Sequence, residues 1–298
     1  MAMHNLLRTF LLLAILLLGG RLPAQYLEMG AMLGTANYLG DLSNNSGALY
    51  LRESKPAVGA LVRFNIGNHI SLRSGLTSAW ISGRDANVRN DDFIRRRNLS
   101  FRTNILELSL VGEVNIPGYQ PYGLLRAFSP YLYGGVAVFR FNPKTRYQGE
   151  WVALQPLGTE GQGIDQLPDR AEPYILSGFA IPFGIGVKYA LTDRVNLGLD
   201  LGARFAYTDY LDDVSTTYAS YPELLAGNGP LAAALGNRTG ELDGGDPVAV
   251  ETGTRRGDLR PNDWYFLLGA TISYNLIENG LMGSRQRLRR RSGCNTTP

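Results

Sequence analysis

Two-residue alternation over long stretches is the feature that most limits what this chain can become. From Val195 to Tyr207 one set reads Val195, Leu197, Leu199, Leu201, Ala203, Phe205 and Tyr207, and the other reads Asn196, Gly198, Asp200, Gly202, Arg204 and Ala206. Successive strand side chains point to opposite faces, so one face is greasy and the other is small or polar. The same split runs from Phe179 to Tyr189 and from Trp264 to Tyr274. Five further segments complete a set of eight: 27–38, 57–66, 69–82, 101–116 and 130–141. These segments exceed the five or six residues usual in a soluble sheet and suit a tilted strand that crosses a bilayer. Pro182 falls on the polar face of its strand, where it cannot donate to a ladder, so a bulge or local break is expected there.

The polar face repeatedly carries charge, which decides what meets the greasy one. Glu28, Arg63, Arg73, Glu107, Glu113, Arg140, Lys188, Asp200 and Arg204 are expected to point into a narrow lumen and pair there. Aromatic side chains gather at the ends of the greasy face. Tyr38, Trp80, Phe141, Tyr207 and Trp264 would form one interfacial girdle, and Tyr131, Tyr189 and Tyr274 the other. A soluble β-fold would reverse this, with the apolar face inside. The expected fold is therefore all-β: a transmembrane antiparallel β-barrel of about eight strands, closed because lipid cannot satisfy a free sheet edge.

Connection lengths point the same way. Long segments (39–56, 83–100, 142–176 and 208–263) alternate with short ones: Gly67-Asn68, 117–129 and 191–194. Outer-membrane barrels pair long external loops with short periplasmic turns. An even strand count then leaves both termini in the periplasm.

The ends differ in composition from the middle. Arg8, the apolar run from Phe10 to Leu18, and Leu22-Pro23-Ala24 have the layout of a secretory signal peptide, assigned to residues 1–24. The barrel is assigned to 25–276. A basic flexible tail is assigned to 277–298, with Arg285, Arg287, Arg289, Arg290 and Arg291. Without Arg8 and Arg21 the 29 basic residues become 27 against 26 acidic ones, so a nucleic-acid partner is not expected. The lone cysteine, Cys294, permits neither a disulfide nor a cysteine-based metal site.

Catalysis has little material. His4 lies in the signal segment and His69 at a turn, which leaves no base beside a nucleophile at the working end. Glu107 and Glu113 share a face but stand about 20 Å apart at the usual strand rise, too far to act as one acid–base pair. No enzyme activity, cofactor or metal is expected. Asp209, Asp212 and Asp213 lack the spacing and oxygen count of a calcium loop. The Gly-rich segment from Leu157 to Gly163 lacks the Lys-Ser/Thr end of a phosphate loop. Arg95, Arg96 and Arg97, in an external loop, are cations that could meet acidic lipid groups.

Several short motifs occur in a familiar order: Asn37-Tyr38-Leu39-Gly40-Asp41-Leu42, Arg97-Asn98-Leu99-Ser100-Phe101, Phe139-Arg140-Phe141-Asn142-Pro143, and the run Leu154-Gln155-Pro156 to Gly163. Ile181-Pro182-Phe183-Gly184-Ile185-Gly186-Val187-Lys188-Tyr189, Thr208-Asp209-Tyr210-Leu211-Asp212-Asp213-Val214-Ser215 and Asp263-Trp264-Tyr265-Phe266 follow. Together they resemble the Bacteroidota family of outer-membrane barrels that includes PorG of the type IX secretion system, over about residues 26–275. The resemblance implies a non-enzymatic structural or anchoring part of that protein secretion machinery, set in outer-membrane lipid. It also implies periplasmic partners: secretion-ring proteins, namely a lipoprotein and its ring partner. The family has no catalytic residues to carry over, and the basic tail has no counterpart in its pattern.

The residues themselves leave a second reading open, a small passive porin or adhesin-like outer-membrane barrel. If the barrel anchors an assembly, contacts must come from periplasmic turns or the tail. Tyr119, Tyr122 and Phe128 in the longest turn, and Arg289, Arg290 and Arg291 in the tail, are the candidate partner contacts. The three rings could equally extend the inner aromatic girdle.

Overall fold

The computed structural model describes residues 26–43, 53–88, 91–119, 127–165, 167, 172–257 and 262–276. The proposed signal segment and basic tail lie outside them. Eight long strands form one closed antiparallel meander: β1 (Tyr26–Leu39), β2 (Lys55–Asn65), β3 (Ile70–Arg84), β4 (Ser100–Asn115), β5 (Phe128–Arg140), β8 (Ser177–Ala190), β9 (Val195–Ala206) and β10 (Trp264–Asn275). Each pairs with its neighbours in chain order, and β10 pairs with β1 to complete the ring. A short hairpin, β6 (Lys144–Tyr147) and β7 (Glu150–Ala153), extends the wall beyond β4 through the pairing of Arg102 with Lys144.

The alternation sorts side chains as a membrane demands. Leu199, Leu201, Ile185, Leu268 and Ile272 point outward and are exposed, whereas Glu28, Arg63, Glu107, Glu113, Lys188 and Asp200 point inward and are buried. A continuous apolar exterior around a charged interior is the inverse of a soluble barrel and identifies a transmembrane one. Leu199→Arg, which sets a cation near the middle of the apolar belt, is expected to destabilise by about 2–4 kcal/mol, and Leu199→Val to be nearly neutral. Urea titrations in lipid vesicles, read by heat-modifiable gel mobility, separate the two. Similar midpoints for both variants would reject the lipid-facing assignment.

The phase of β5 differs from the sequence expectation by one residue. Tyr131, Tyr133, Ala137 and Phe139 face the lumen, and the inward series continues to Phe141 just beyond the strand. Leu132, Val136 and Val138 face out. Arg140 is consequently not a lumen residue: it is exposed on the outer surface beside Leu106 of β4. Tyr131 and Phe141 leave the proposed girdles for the interior, and so does Tyr38. Both faces of β5 are rich in apolar and aromatic residues, so alternation alone could not set its phase, which pairing with β4 and β8 does.

Small residues on the neighbouring strands β8 and β9 make room for the inward rings. A Cβ on Gly202 would collide with the Tyr133 hydroxyl, and one on Gly186 with the Tyr131 ring. Pro182 faces inward, and the β5–β8 ladder is interrupted there between the pairs Gly134–Phe183 and Ala137–Ala180 without a change of register. It is a local break and not a bulge.

All four long connections lie at one end and the short turns at the other. The long ones are more structured than expected. Among the described residues they contain the β6–β7 hairpin and three α-helices, α1 (Asp92–Arg97), α2 (Tyr221–Gly227) and α3 (Pro230–Gly236). Ser220 and Glu223 form a capping box at the start of α2, satisfying backbone donors that would otherwise be left bare.

Candidate functional site

The lumen is filled in layers along its length. At the short-turn end Asn65, Asn115, Asn196 and Asn275 are buried and hydrogen-bonded. Asn65 donates to Glu28 at 2.8 Å, Asn196 donates to Asn275 at 2.8 Å, and Lys188 donates to Asn115 at 2.9 Å. Above them lies an ion-pair belt. Glu113 meets Arg63 at 3.0 Å and Arg73 at 2.9 Å, and it also accepts from Lys188. Arg63 reaches Glu28 at 2.8 Å, and Arg73 reaches Asp200 at 2.8 Å. Further along, Glu107 accepts from Arg204 at 3.3 Å and from the Tyr265 hydroxyl at 2.7 Å. Four acids and four bases are thus matched inside, which offsets the desolvation that a lone buried ion would suffer. Between the layers remains a cavity of about 40 Å³, lined in part by Arg73, Tyr133, Asp200 and Arg204. That is room for a water or two and not for a solute.

Toward the long-loop end the lumen changes character. Ala36, Ala57, Ala79, Ile81, Ile105, Ala137, Phe139, Ala180, Ala206 and Leu267 build an apolar core, which continues into Leu42, Leu99, Phe141, Leu154, Leu211, Val214 and Leu235 of the connections. The loops therefore cap the barrel with a hydrophobic core of their own. Phe141, Tyr174 and Tyr210 stack at its edge, with ring centroids 6.2 Å and 4.4 Å apart.

Buried charges tie the loops of this cap together. Arg97, at the end of α1, grips Asp85 with two hydrogen bonds of 2.8 and 2.7 Å and donates to the carbonyls of Asp41 and Arg256. Burial opposes its charge, but the hydrogen bonds and charge of Asp85 prevail and raise its pKa. Arg256 donates to Glu160 at 3.1 Å and to the carbonyl of Asp213 at 2.8 Å. Glu160 in turn accepts from the amides of Ser215 and Thr216 at 2.9 and 3.1 Å. Asp213 accepts from the hydroxyls of Thr159 and Tyr174, both at 2.6 Å. Burial pushes its carboxyl up to about 6, against the pull of Arg256. Tyr38 offers its hydroxyl to both Asp212 at 2.6 Å and Asp263 at 2.9 Å. Burial raises both acids well above the usual carboxylate range, and Asp212 is raised further by Asp263.

The motifs of the sequence thus meet in three dimensions. Asp41, Arg97, Glu160, Asp212, Asp213 and Asp263 come from five of the seven motifs, and each is a buried tie of the cap. The run from Leu157 to Gly163 needs its glycines for conformation. Gly158, Gly161 and Gly163 have φ of 56°, 88° and 76°, and a Cβ on Gly158 would press on the Gln162 carbonyl. The pairs Arg97–Asp85 and Arg256–Glu160 are not legible in the sequence. No local signal singles these residues out: Arg97 follows two other arginines and Arg256 follows Arg255.

Several expected contact residues lie elsewhere. Arg97 is buried in the cap, so of the three arginines only Arg95 and Arg96 are exposed, and Arg95 pairs with Asp92. Tyr119 is fully buried, donates to Asn196 at 2.7 Å and packs by Lys188, so it plugs the short-turn end and offers no surface to a partner. Phe128 is exposed on the outer wall opposite Tyr189, a girdle position. Tyr122 and Arg289, Arg290 and Arg291 lie outside the described residues. His69 sits in the β2–β3 turn, where its carbonyl accepts from the Asn115 amide at 2.7 Å. Among the described residues no three His, Cys, Asp or Glu side chains are grouped as a metal site.

A family model described as "Domain of unknown function (DUF6089)" matches residues 7–153 and 165–234. No curated protein matches the chain in sequence. Among solved structures the chain is similar to the N-terminal β-barrel domain of Pseudomonas aeruginosa OprF, at 9% identity over 85% of this chain and 100% of that one with a TM-score of 0.35. It is also similar to the outer membrane protein OprG from Pseudomonas aeruginosa, at 10% identity, 84% and 96% coverage and a TM-score of 0.39. Neisserial surface protein A matches at 12% identity, 85% and 97% coverage and a TM-score of 0.34.

Proposed function

Because the chain belongs to the DUF6089 family and folds as a closed barrel, we propose that it is a non-enzymatic outer-membrane anchor, a structural part of the type IX protein secretion machinery. The observation that carries the anchoring role is the filled lumen: ion pairs, crossing tyrosines and an apolar cap occupy it from end to end, so solutes have no path. Function then belongs to the surfaces. The assignment to type IX secretion is supported by the seven motifs that resemble the PorG-containing family. In this reading the cap faces outward, both termini are periplasmic, and a lipoprotein and its ring partner are met by the short turns and the basic tail.

Deleting 281–298, and separately replacing Tyr122 by Ala, is expected to leave barrel insertion intact while reducing recovery of periplasmic partners from detergent-extracted membranes. Tyr119 is unsuited to this test because it closes the lumen. Planar-bilayer recordings of the unaltered protein should show no steady conductance. Full partner recovery and secretion by both variants would overturn the anchor, and a stable open pore would favour a passive porin.

A further inference from the structure

A groove of about 460 Å³ opens on the outer surface of the wall at its long-loop end, lined by Trp80, Arg102, Asn104, Arg140, Lys144 and Trp151 among others. It spans β3 to β7, with the β6–β7 hairpin as its upper edge. Arg102 stands beside Lys144 across the β4–β6 pairing, and Arg140 stands beside Leu106, four residues nearer the membrane centre. The three cations are thus spread over about 13 Å of wall at the usual strand rise. The Arg102 guanidinium lies 5.7 Å from the centre of the Trp151 ring.

Two contrasts single this groove out. In the lumen every cation is matched to a carboxylate, whereas among the described residues none of Arg102, Arg140 and Lys144 has one within ion-pair distance. Leu106, level with Arg140, and Leu108 and Val138 below it are exposed and belong to the apolar belt. Unmatched cations bordering lipid are costly unless an anion comes to them. The depth is that of an aromatic girdle, where Trp80 and Trp151 sit. Cations above, flat rings beside and a bare apolar track beneath describe the complement of one amphiphile.

We propose that this groove binds the phosphorylated sugar headgroup of an outer-leaflet glycolipid. Arg102, Arg140 and Lys144 hold phosphate oxygens, Trp80 and Trp151 lie against sugar faces, and acyl chains run down Leu106, Leu108 and Val138. The spread of the three cations exceeds the reach of one phosphate and fits a headgroup that bears more than one. Assignment to the outer leaflet rests on the outward orientation of the cap given above, but binding in a nanodisc does not, so the two fail separately.

The test uses the unaltered protein in phosphatidylcholine nanodiscs, titrated with a bis-phosphorylated lipid A and followed by tryptophan fluorescence. Saturable binding is expected. Removing the phosphates from the lipid, or changing Arg102→Gln, Arg140→Gln and Lys144→Gln together, should weaken it about a hundredfold, since each cation near a charged surface contributes about fivefold. Equal affinity for the dephosphorylated lipid overturns the proposal even if the triple variant fails to insert. Displacement by inorganic phosphate, or equal binding of phosphatidylglycerol, overturns it in favour of a soluble anion or a common phospholipid.

Discussion

Glu113→Gln is expected to destabilise the barrel by about 3–5 kcal/mol, the range for breaking a buried ion pair by removing one partner. The Glu113 side chain is fully buried and meets Arg63, Arg73 and Lys188. The amide keeps the shape and removes the charge, so three cations would share what remains of Glu28 and Asp200. Adding Lys188→Met to Glu113→Gln should recover part of the loss, because it removes one of the stranded cations. Unfolding by urea in lipid vesicles measures both. A Glu113→Gln barrel within about 0.5 kcal/mol of the original would mean that the belt is hydrated, and the filled lumen would no longer argue against a pore.

Arg97→Ala should detach the cap without dissolving the barrel, at a local cost of about 3–5 kcal/mol from an unpaired Asp85 deep in the protein. Arg97 joins three connections: Asp85 from the β3–β4 loop, the Asp41 carbonyl from the β1–β2 loop and the Arg256 carbonyl from the β9–β10 loop. Hydrogen exchange should rise through 208–257 while the eight strands stay protected, since the ladders do not depend on the cap. Arg95→Ala, two residues away on the surface, should change little, as exposed ion pairs contribute about 0–1 kcal/mol. Unchanged exchange in the Arg97 variant would show that apolar packing alone holds the cap.

How far the sequence could be read depended on how different the two faces of a strand are. In β9 one face is small or polar and the other bulky, so phase, lipid face and lumen charges are all legible. In β5 both faces are bulky, so alternation puts Arg140 inside although it lies outside. The outer groove is therefore not legible from alternation, because Arg140 is one of its three cations. For Tyr119 the sequence leaves a partner contact and an inner-girdle ring equally open, because an aromatic in a turn has no periodicity to place it. Its hydroxyl reaches Asn196 from 77 residues away, a contact that local pattern does not encode.

By itself the sequence determined the strand count, the alternation of long and short connections and the sign-balanced interior, because these follow from two-residue periodicity and spacing, which are local. Only the tertiary structure decided that the long connections fold into a cap, that the lumen beneath it turns apolar, and which buried acid meets which arginine. Arg256 and Glu160 are 96 residues apart, and Tyr38 and Asp263 are 225 apart. Such partners are chosen by closure of the ring, which brings β1 beside β10 and sets the loops against one another. The physical reason is that a strand's face is written in its own residues, whereas the mate of a buried charge is set by whichever distant segment closure places within reach.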